Sequence, residues 1–412
     1  MKKLEFRNGI YTVLRPLYYV CKVFGLASYS YVADRRNNRI TTDYGNLNYI
    51  FTVIWLIIFT VGLPVQILEV YNVQMVSQVV IVAFMLHSIS SYTSSIMGMV
   101  CISIIKRRMF LEIIENISKV DNKIRYTPQE ETYMNRNVMF NIISEIILLS
   151  VDPCILIICI IYQFISEEYY IINFKIIIFF FAYICNMLIL LQFLNLVFIM
   201  KQRYSHLNKR LTNWINGTVS RPTSLNKKNE RCMRSVRAVD HTIITSLRVS
   251  SFGNIVGTLR QADIHLLRQI YSELYDITCL INDTYGIPIL ATMCWILTAV
   301  LCSLFQALVN FKVLGLAHII VVFTYSVFFF KISFYCHTAT NEARSSTILV
   351  QKLLLVGNYR NECTKQLKMF SLQLQVMGHE YTACGFFSLN LRLFASVVSV
   401  IVSYIVIMVQ MK

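Results

Sequence analysis

Leu391-Arg-Leu-Phe-Ala-Ser-Val-Val-Ser-Val-Ile-Val-Ser-Tyr-Ile-Val-Ile-Met-Val-Gln-Met-Lys412 is the stretch on which the fold turns. From Leu393 to Met411 it is apolar, and about long enough, to cross a bilayer as a helix. Its polar residues are not scattered. At about 100° per residue, Ser396, Ser399, Ser403 and Gln410 fall on one narrow stripe, which Ile407 shares. The remaining surface is Val, Ile, Phe, Met and Ala, with Tyr404 at one margin. Such a seam has two readings. Small residues and hydroxyls favour close helix–helix packing. The same seam, repeated in several copies of the helix, would face water in a pore.

Working outward, the composition fits a membrane protein. The chain has 412 residues, of which 56% are hydrophobic, with mean hydropathy +0.56. Only 15% are charged, against about 25% in a soluble domain. The 38 Lys and Arg against 22 Asp and Glu give a net charge of +16, which would suit an anionic membrane surface or nucleic acid. The twelve Cys show no CxxC spacing and the seven His form no HExxH motif, so reduced thiols and no metal site or cofactor are expected. No secretory signal is evident, because Arg15-Pro16 and Lys22 interrupt the apolar run behind Met1-Lys-Lys.

The expected fold is all-α, with seven membrane spans. Residues 1–46 form an N-terminal segment in which Ile10 to Tyr31 suits an interfacial or re-entrant piece. Residues 47–200 hold spans one to four, at about 47–67, 76–105, 138–162 and 171–200, and the second has a serine-rich middle. Residues 201–285 form a polar loop flanked by amphipathic helices that continue spans four and five. Residues 286–337 hold spans five and six, 338–390 a helical segment, and 391–412 the last span.

Lysine and arginine then set the orientation. The segments 1–46, 106–137, 201–285 and 338–392 carry 8, 7, 13 and 6 of them, whereas the opposite links hold Lys175, Lys312 and Lys412. The amino terminus is therefore expected in the cytoplasm and the carboxyl terminus outside. The basic charge decides topology, and no nucleic-acid partner is expected. The sequons at Asn116, Asn216 and Asn282 all fall on the cytoplasmic side and should carry no glycan.

Charges within spans are functional candidates by default. Glu145 and Asp152 lie two turns apart on one face of span three, and Asp152 precedes Pro153. Glu145 and Lys331 of span six sit at similar depth, which would allow a structural ion pair. The outer halves of the spans collect Gln78, His87, Asp152, Tyr162, Phe179, Tyr183, His318, Thr324 and Tyr325. An apolar pocket with a few placed polar groups is what a small-molecule site needs, and ordinary bundle packing would use the same residues. No nucleophile–base pair or phosphate-cradling glycine loop appears, so no enzyme is expected.

The carboxyl end holds Thr382-Ala-Cys-Gly385-Phe386-Phe-Ser-Leu-Asn390, the preceding Phe370-Ser-Leu-Gln-Leu, and Ser403-Tyr404 followed by Gln410-Met411. Together these residues resemble the insect gustatory receptors. The family signature is Thr-Tyr, five apolar residues and Gln-Phe; here Ser403 and Met411 replace the Thr and the Phe. Asn341-Glu-Ala-Arg344 and Leu14-Arg-Pro-Leu17 also look like family features. The resemblance implies a ligand-gated, non-selective cation channel in the plasma membrane of a sensory neuron. It implies a homotetramer, or a heterotetramer with related receptors, whose last helices line the pore with Ser396, Ser399, Ser403, Ile407, Gln410 and Met411. The constriction would be Ile407 or Met411, and a small-molecule tastant would bind among the earlier spans. A secondary transporter of a small polar solute is the rival reading, but broken helices and inverted repeats are not evident. A G-protein-coupled receptor would need the opposite orientation.

Overall fold

Long apolar runs must satisfy their backbone internally, and helices do so without partners. The computed structural model describes residues 10–34, 39–43, 47–72, 78–151, 154, 174–219, 261–309, 313–356, 359 and 361–410, and nearly all of these are helical. The order is α1 (Ile10–Val23), a hairpin of β1 (Ser30–Asp34) and β2 (Arg39–Asp43), α2 (Leu47–Asn72), and α3 (Gln78–Met99) running into a π turn at Val100–Ile105. There follow α4 (Arg107–Ile124), α5 (Pro128–Leu149), α6 (Phe174–Val219), α7 (Gln261–Val309) and α8 (Val313–Val356). Next come α9 (Asn361–Val376), a two-residue hairpin of β3 (Thr382–Ala383) and β4 (Phe387–Ser388), and α10 (Leu391–Gln410).

Among the described residues, five helices are long and apolar enough to cross a membrane, within Tyr49–Leu68, Ile81–Ile105, Ile178–Gly217, Gln261–Leu308 and His318–Val356; Leu391–Ile407 is a shorter apolar run. The third expected span begins inside α5, and beyond position 151 it lies outside the described residues except at position 154. Helices α6, α7 and α8 have 46, 49 and 44 residues. At about 1.5 Å per residue each is about 70 Å long, roughly twice a hydrocarbon core of about 30 Å. Each is thus longer than one crossing, and α6 and α7 extend the fourth span to Val219 and the fifth back to Gln261, as the amphipathic flanks of 201–285 led us to expect.

Burial orders the bundle. In α6, 89% of the apolar window is buried, against 22% in α2, so α6 is the axis and α2 lies at the rim. The serine-rich middle of α3 explains its close approach to α6. Ser95 Oγ donates to the Ala182 carbonyl (2.8 Å), and Asn186 Nδ2 donates to the Ser91 carbonyl (2.9 Å). A Cβ at Gly98 would lie 2.2 Å from Ile189 Cδ1, so a larger residue there would have to displace the end of the Ile189 side chain.

Helix α1 repeats apolar residues every three or four positions and buries Val13, Leu14, Leu17, Tyr18 and Cys21 in the common core. It thus docks on the bundle through that face. Helix α5 starts at a capping box: Glu130 N–H donates to Thr127 Oγ1, and Thr127 N–H donates to Glu130 Oε2 (3.0 Å). At the polar end, Arg203 forks onto Asp121 (2.7 and 3.1 Å), Lys106 meets Asp283 (2.7 Å), and Lys123 pairs with Glu273. There Asn208 also joins α6 to α8, donating to the Glu342 carbonyl (2.7 Å) and accepting from Ser346 Oγ (2.6 Å).

Candidate functional site

The seam on α10 points away from the rest of the chain. Ser396, Ser399, Ser403, Ile407 and Gln410 are all exposed, Ile407 by 54%. Leu393, Phe394, Val397 and Ile401 pack against the core on the opposite side, where Phe394 meets Phe330 and Phe329 (ring centroids 5.3 and 6.0 Å). Tyr404 is half-buried at the margin. Each seam hydroxyl donates back one turn, from Ser396 to Arg392, Ser399 to Ala395 and Ser403 to Ser399, at 2.9–3.0 Å. The bonds satisfy the hydroxyl protons while leaving oxygen lone pairs facing outward. Val398, Val402 and Val406 flank the seam and are also exposed, which leaves an apolar wall for lipid or another helix to cover. Met411 lies outside the described residues.

The expected ligand residues gather around two successive turns of α6. Phe179 meets His87 of α3 edge-on (5.2 Å, 88°), and Tyr183 meets Trp295 of α7 and Tyr325 of α8 (5.9 Å each). Trp295 and Tyr325 close the box at 5.3 Å. His318 of α8 lies within electrostatic reach of His87. Thr324 is buried but spends its hydroxyl on the Ile320 carbonyl (3.0 Å). Gln78 is the first residue of α3, though its side chain lies outside the described set, as do Asp152 and Tyr162. Trp295 was not singled out in the sequence. A lone Trp inside span five, one of three in the chain, was the available signal.

Lower in the bundle, Glu145 is fully buried. Its carboxylate accepts from Asn141 Nδ2 (3.0 Å) and Asn195 Nδ2 (2.7 Å), and Asn141 Oδ1 accepts from the Tyr335 hydroxyl (2.6 Å). Helices α5, α6 and α8 are tied together here. Lys331 is half-buried and near enough for its charge to act on Glu145, but the two form no ion pair among the described contacts. The direct partners are amides, because Asn141 is one turn from Glu145 on the same helix and Asn195 faces both. Two Asn inside apolar runs were the signal for this cluster.

The hairpin before α10 carries the motif residues Gly385 and Phe386. Gly385 has φ +76°, a conformation that favours glycine, and Phe386 at the tip is 77% exposed. Among the described residues, no three His, Cys, Asp or Glu side chains cluster as a metal site.

A family model described as 7tm chemosensory receptor matches residues 14–412. No curated protein matches the chain by sequence. The fold is similar to two structures of the insect olfactory receptor OR5 from Machilis hrabei. The complex with eugenol has TM-score 0.67 and the structure without it 0.64; both are 10% identical and cover 98% of this chain and 99% of the other.

Proposed function

The chain belongs to the 7tm chemosensory receptor family, and on that premise we propose that it is a ligand-gated, non-selective cation channel opened by a small molecule. The observation that carries this reading is the outward seam of α10. A helix of this hydropathy, standing alone, gains nothing by gathering Ser396, Ser399, Ser403 and Gln410 on the face its own subunit leaves uncovered. Around a shared axis, the same face lines a water-filled path, and Val398, Val402 and Val406 lie beside it to meet a neighbouring copy. The assembly is a tetramer in the plasma membrane, homomeric or with related receptors. It has seven spans, a cytoplasmic amino terminus and long inner extensions of α6, α7 and α8 as an anchor. The constriction is Ile407 or Met411.

The ligand enters the aromatic box from the outer side, and the signature residues Tyr404 and Gln410 assign the chain to taste. The transporter reading finds less support, since α2 and α7 run unbroken through Pro64 and Pro288. The test is to express the chain alone and record cation currents while sugars and bitter compounds are applied. Ligand-evoked currents that Gln410→Ala and Ile407→Ala alter are expected. Currents untouched by both changes would sink the pore assignment.

A further inference from the structure

The outer box and the inner cluster of the same bundle treat their polar atoms differently. Around Glu145 the amides and the Tyr335 hydroxyl close on one another. Beside Phe179 and Tyr183, two ring nitrogens do not. His87 Nε2 and Trp295 Nε1 are shut away from water and have no hydrogen-bond partner. Trp295 itself is fully buried. Leaving such groups unmade in an apolar interior is costly, so each calls for a specific explanation. Ser88 and Ser91 nearby also lack partners, but a hydroxyl can rotate onto its own helix, as Thr324 does toward the Ile320 carbonyl, and the unmet Tyr92 hydroxyl lies toward Gly62 of α2. An indole N–H is fixed in its ring plane, donates only, and cannot rescue itself that way.

Resting on the reading of this box as the ligand site, we propose that the ligand is a compact, planar, largely apolar molecule bearing a hydrogen-bond acceptor. A carbonyl, ether or ring nitrogen would serve. The walls offer ring faces and edges from Phe179, Tyr183 and Tyr325, which favour an aromatic partner. His87 on α3 and Trp295 on α7 supply the unmet polar atoms; the indole N–H receives the acceptor outright, and His87 Nε2 does so when it carries the ring proton. A sugar fits this chemistry badly. Each of its several hydroxyls needs a partner once water is excluded, and a box with so few open polar atoms would leave most of them unmet. Ligand polarity is thus set by the scarcity of polar wall, and orientation by which of the two atoms is engaged.

The experiment measures binding, separately from current, to the full chain purified in lipid nanodiscs. The probes are pairs of benzene derivatives, a ketone or methyl ester beside its hydrocarbon isostere, together with glucose, sucrose and trehalose. The variants are His87→Phe and Trp295→Phe, with thermal melts of the unliganded protein to confirm folding. Binding is expected only from acceptor-bearing aromatics. Their affinity should fall about tenfold on at least one variant, the scale of one lost hydrogen bond in a dry site. Binding by the sugars, equal binding by the hydrocarbon isosteres, no binding by any aromatic, or affinities unchanged in both variants would overturn the proposal. Binding as expected without any current would instead sink the channel reading and leave the ligand class standing. Currents evoked by sugar and indifferent to both variants would do the reverse.

Discussion

Asn282 of α7 and Thr382 at the start of β3 are joined side chain to backbone: the Thr382 N–H donates to Asn282 Oδ1 at 3.2 Å, while Asn282 Nδ2 donates to the Glu380 carbonyl at 2.7 Å. Glu380 in turn pairs with Arg344 of α8 and accepts from Ser388 Oγ at 2.8 Å. The strand that leads into α10 is therefore fastened to both long helices beside it. Asn282→Ala removes the two amide bonds and should cost about 1–3 kcal/mol. Thermal melts of the purified chain measure that loss directly. In the channel reading the same change shifts ligand sensitivity several-fold, since the fastening is the route from the bundle to the last helix. Unchanged melting and unchanged sensitivity would mean that the hairpin is held elsewhere.

The seam gives the second expectation. Cysteines placed singly at Ser396, Ser399, Ser403, Ile407 and Gln410 should react with aqueous thiol reagents in the assembled protein. Those at Val397 and Ile401 should not, because these positions turn toward their own subunit. Rates at the first group should exceed those at the second by at least about tenfold, the margin a barrier of about 1.4 kcal/mol gives. Equal labelling of both faces would leave α10 at the rim and remove it from a pore.

These two regions were not equally legible in the sequence. The stripe on α10 obeys a local rule, 100° per residue, so its outward face could be read directly and only its covering partner needed three dimensions. The spans of α2, α3, α6, α7 and α8 were visible for the same reason. The hairpin from Thr382 to Ser388 was not: its strands are two residues each, and its bonds reach Asn282, a hundred residues away. Likewise, depth along a span could suggest Glu145 beside Lys331, but only packing shows Asn195 reaching the carboxylate first. Trp295 was plain as a residue. That its indole nitrogen lacks an acceptor is a property of its neighbours alone.

Glu145 supplies a third expectation. Asn195→Leu removes the shorter of its two amide contacts while leaving the carboxyl buried, and loss of a partner to a buried charge costs about 3–5 kcal/mol. Glu145→Gln keeps a side chain that can both donate and accept, so it should cost about 1 kcal/mol or less. Exchange of charges, Glu145→Lys with Lys331→Glu, should not restore what either change alone loses. The carboxylate would then stand apart from the amides that hold Glu145. Full rescue in surface expression or melting temperature would instead make the charge pair, and not the amides, the main support.

His379 gives the last expectation, because it lies on the segment between α9 and β3 and is almost wholly buried. Its ring packs among Tyr204, Tyr271 and Tyr275 at 5.2, 4.9 and 5.1 Å, and its Nδ1 is 3.1 Å from the Tyr204 hydroxyl. Burial, aided by the charge of Arg344, lowers its pKa from 6.5 to about 4. The unfolded chain therefore binds this proton more readily than the folded one, and stability rises with pH wherever that holds. Its contribution is complete above about pH 6.5, is lost progressively as the pH falls toward 4, and changes no further below that. The separation corresponds to on the order of 3 kcal/mol. Other side chains also respond to acid, so the readout is a difference. Melting temperatures of the native chain and of His379→Gln, taken at pH 7.5, 5.5 and 4.5 (about the span of the window), should converge as the solution is acidified. Parallel curves would show that the imidazole is not neutral in the folded protein and that the tyrosine cage tolerates its charge.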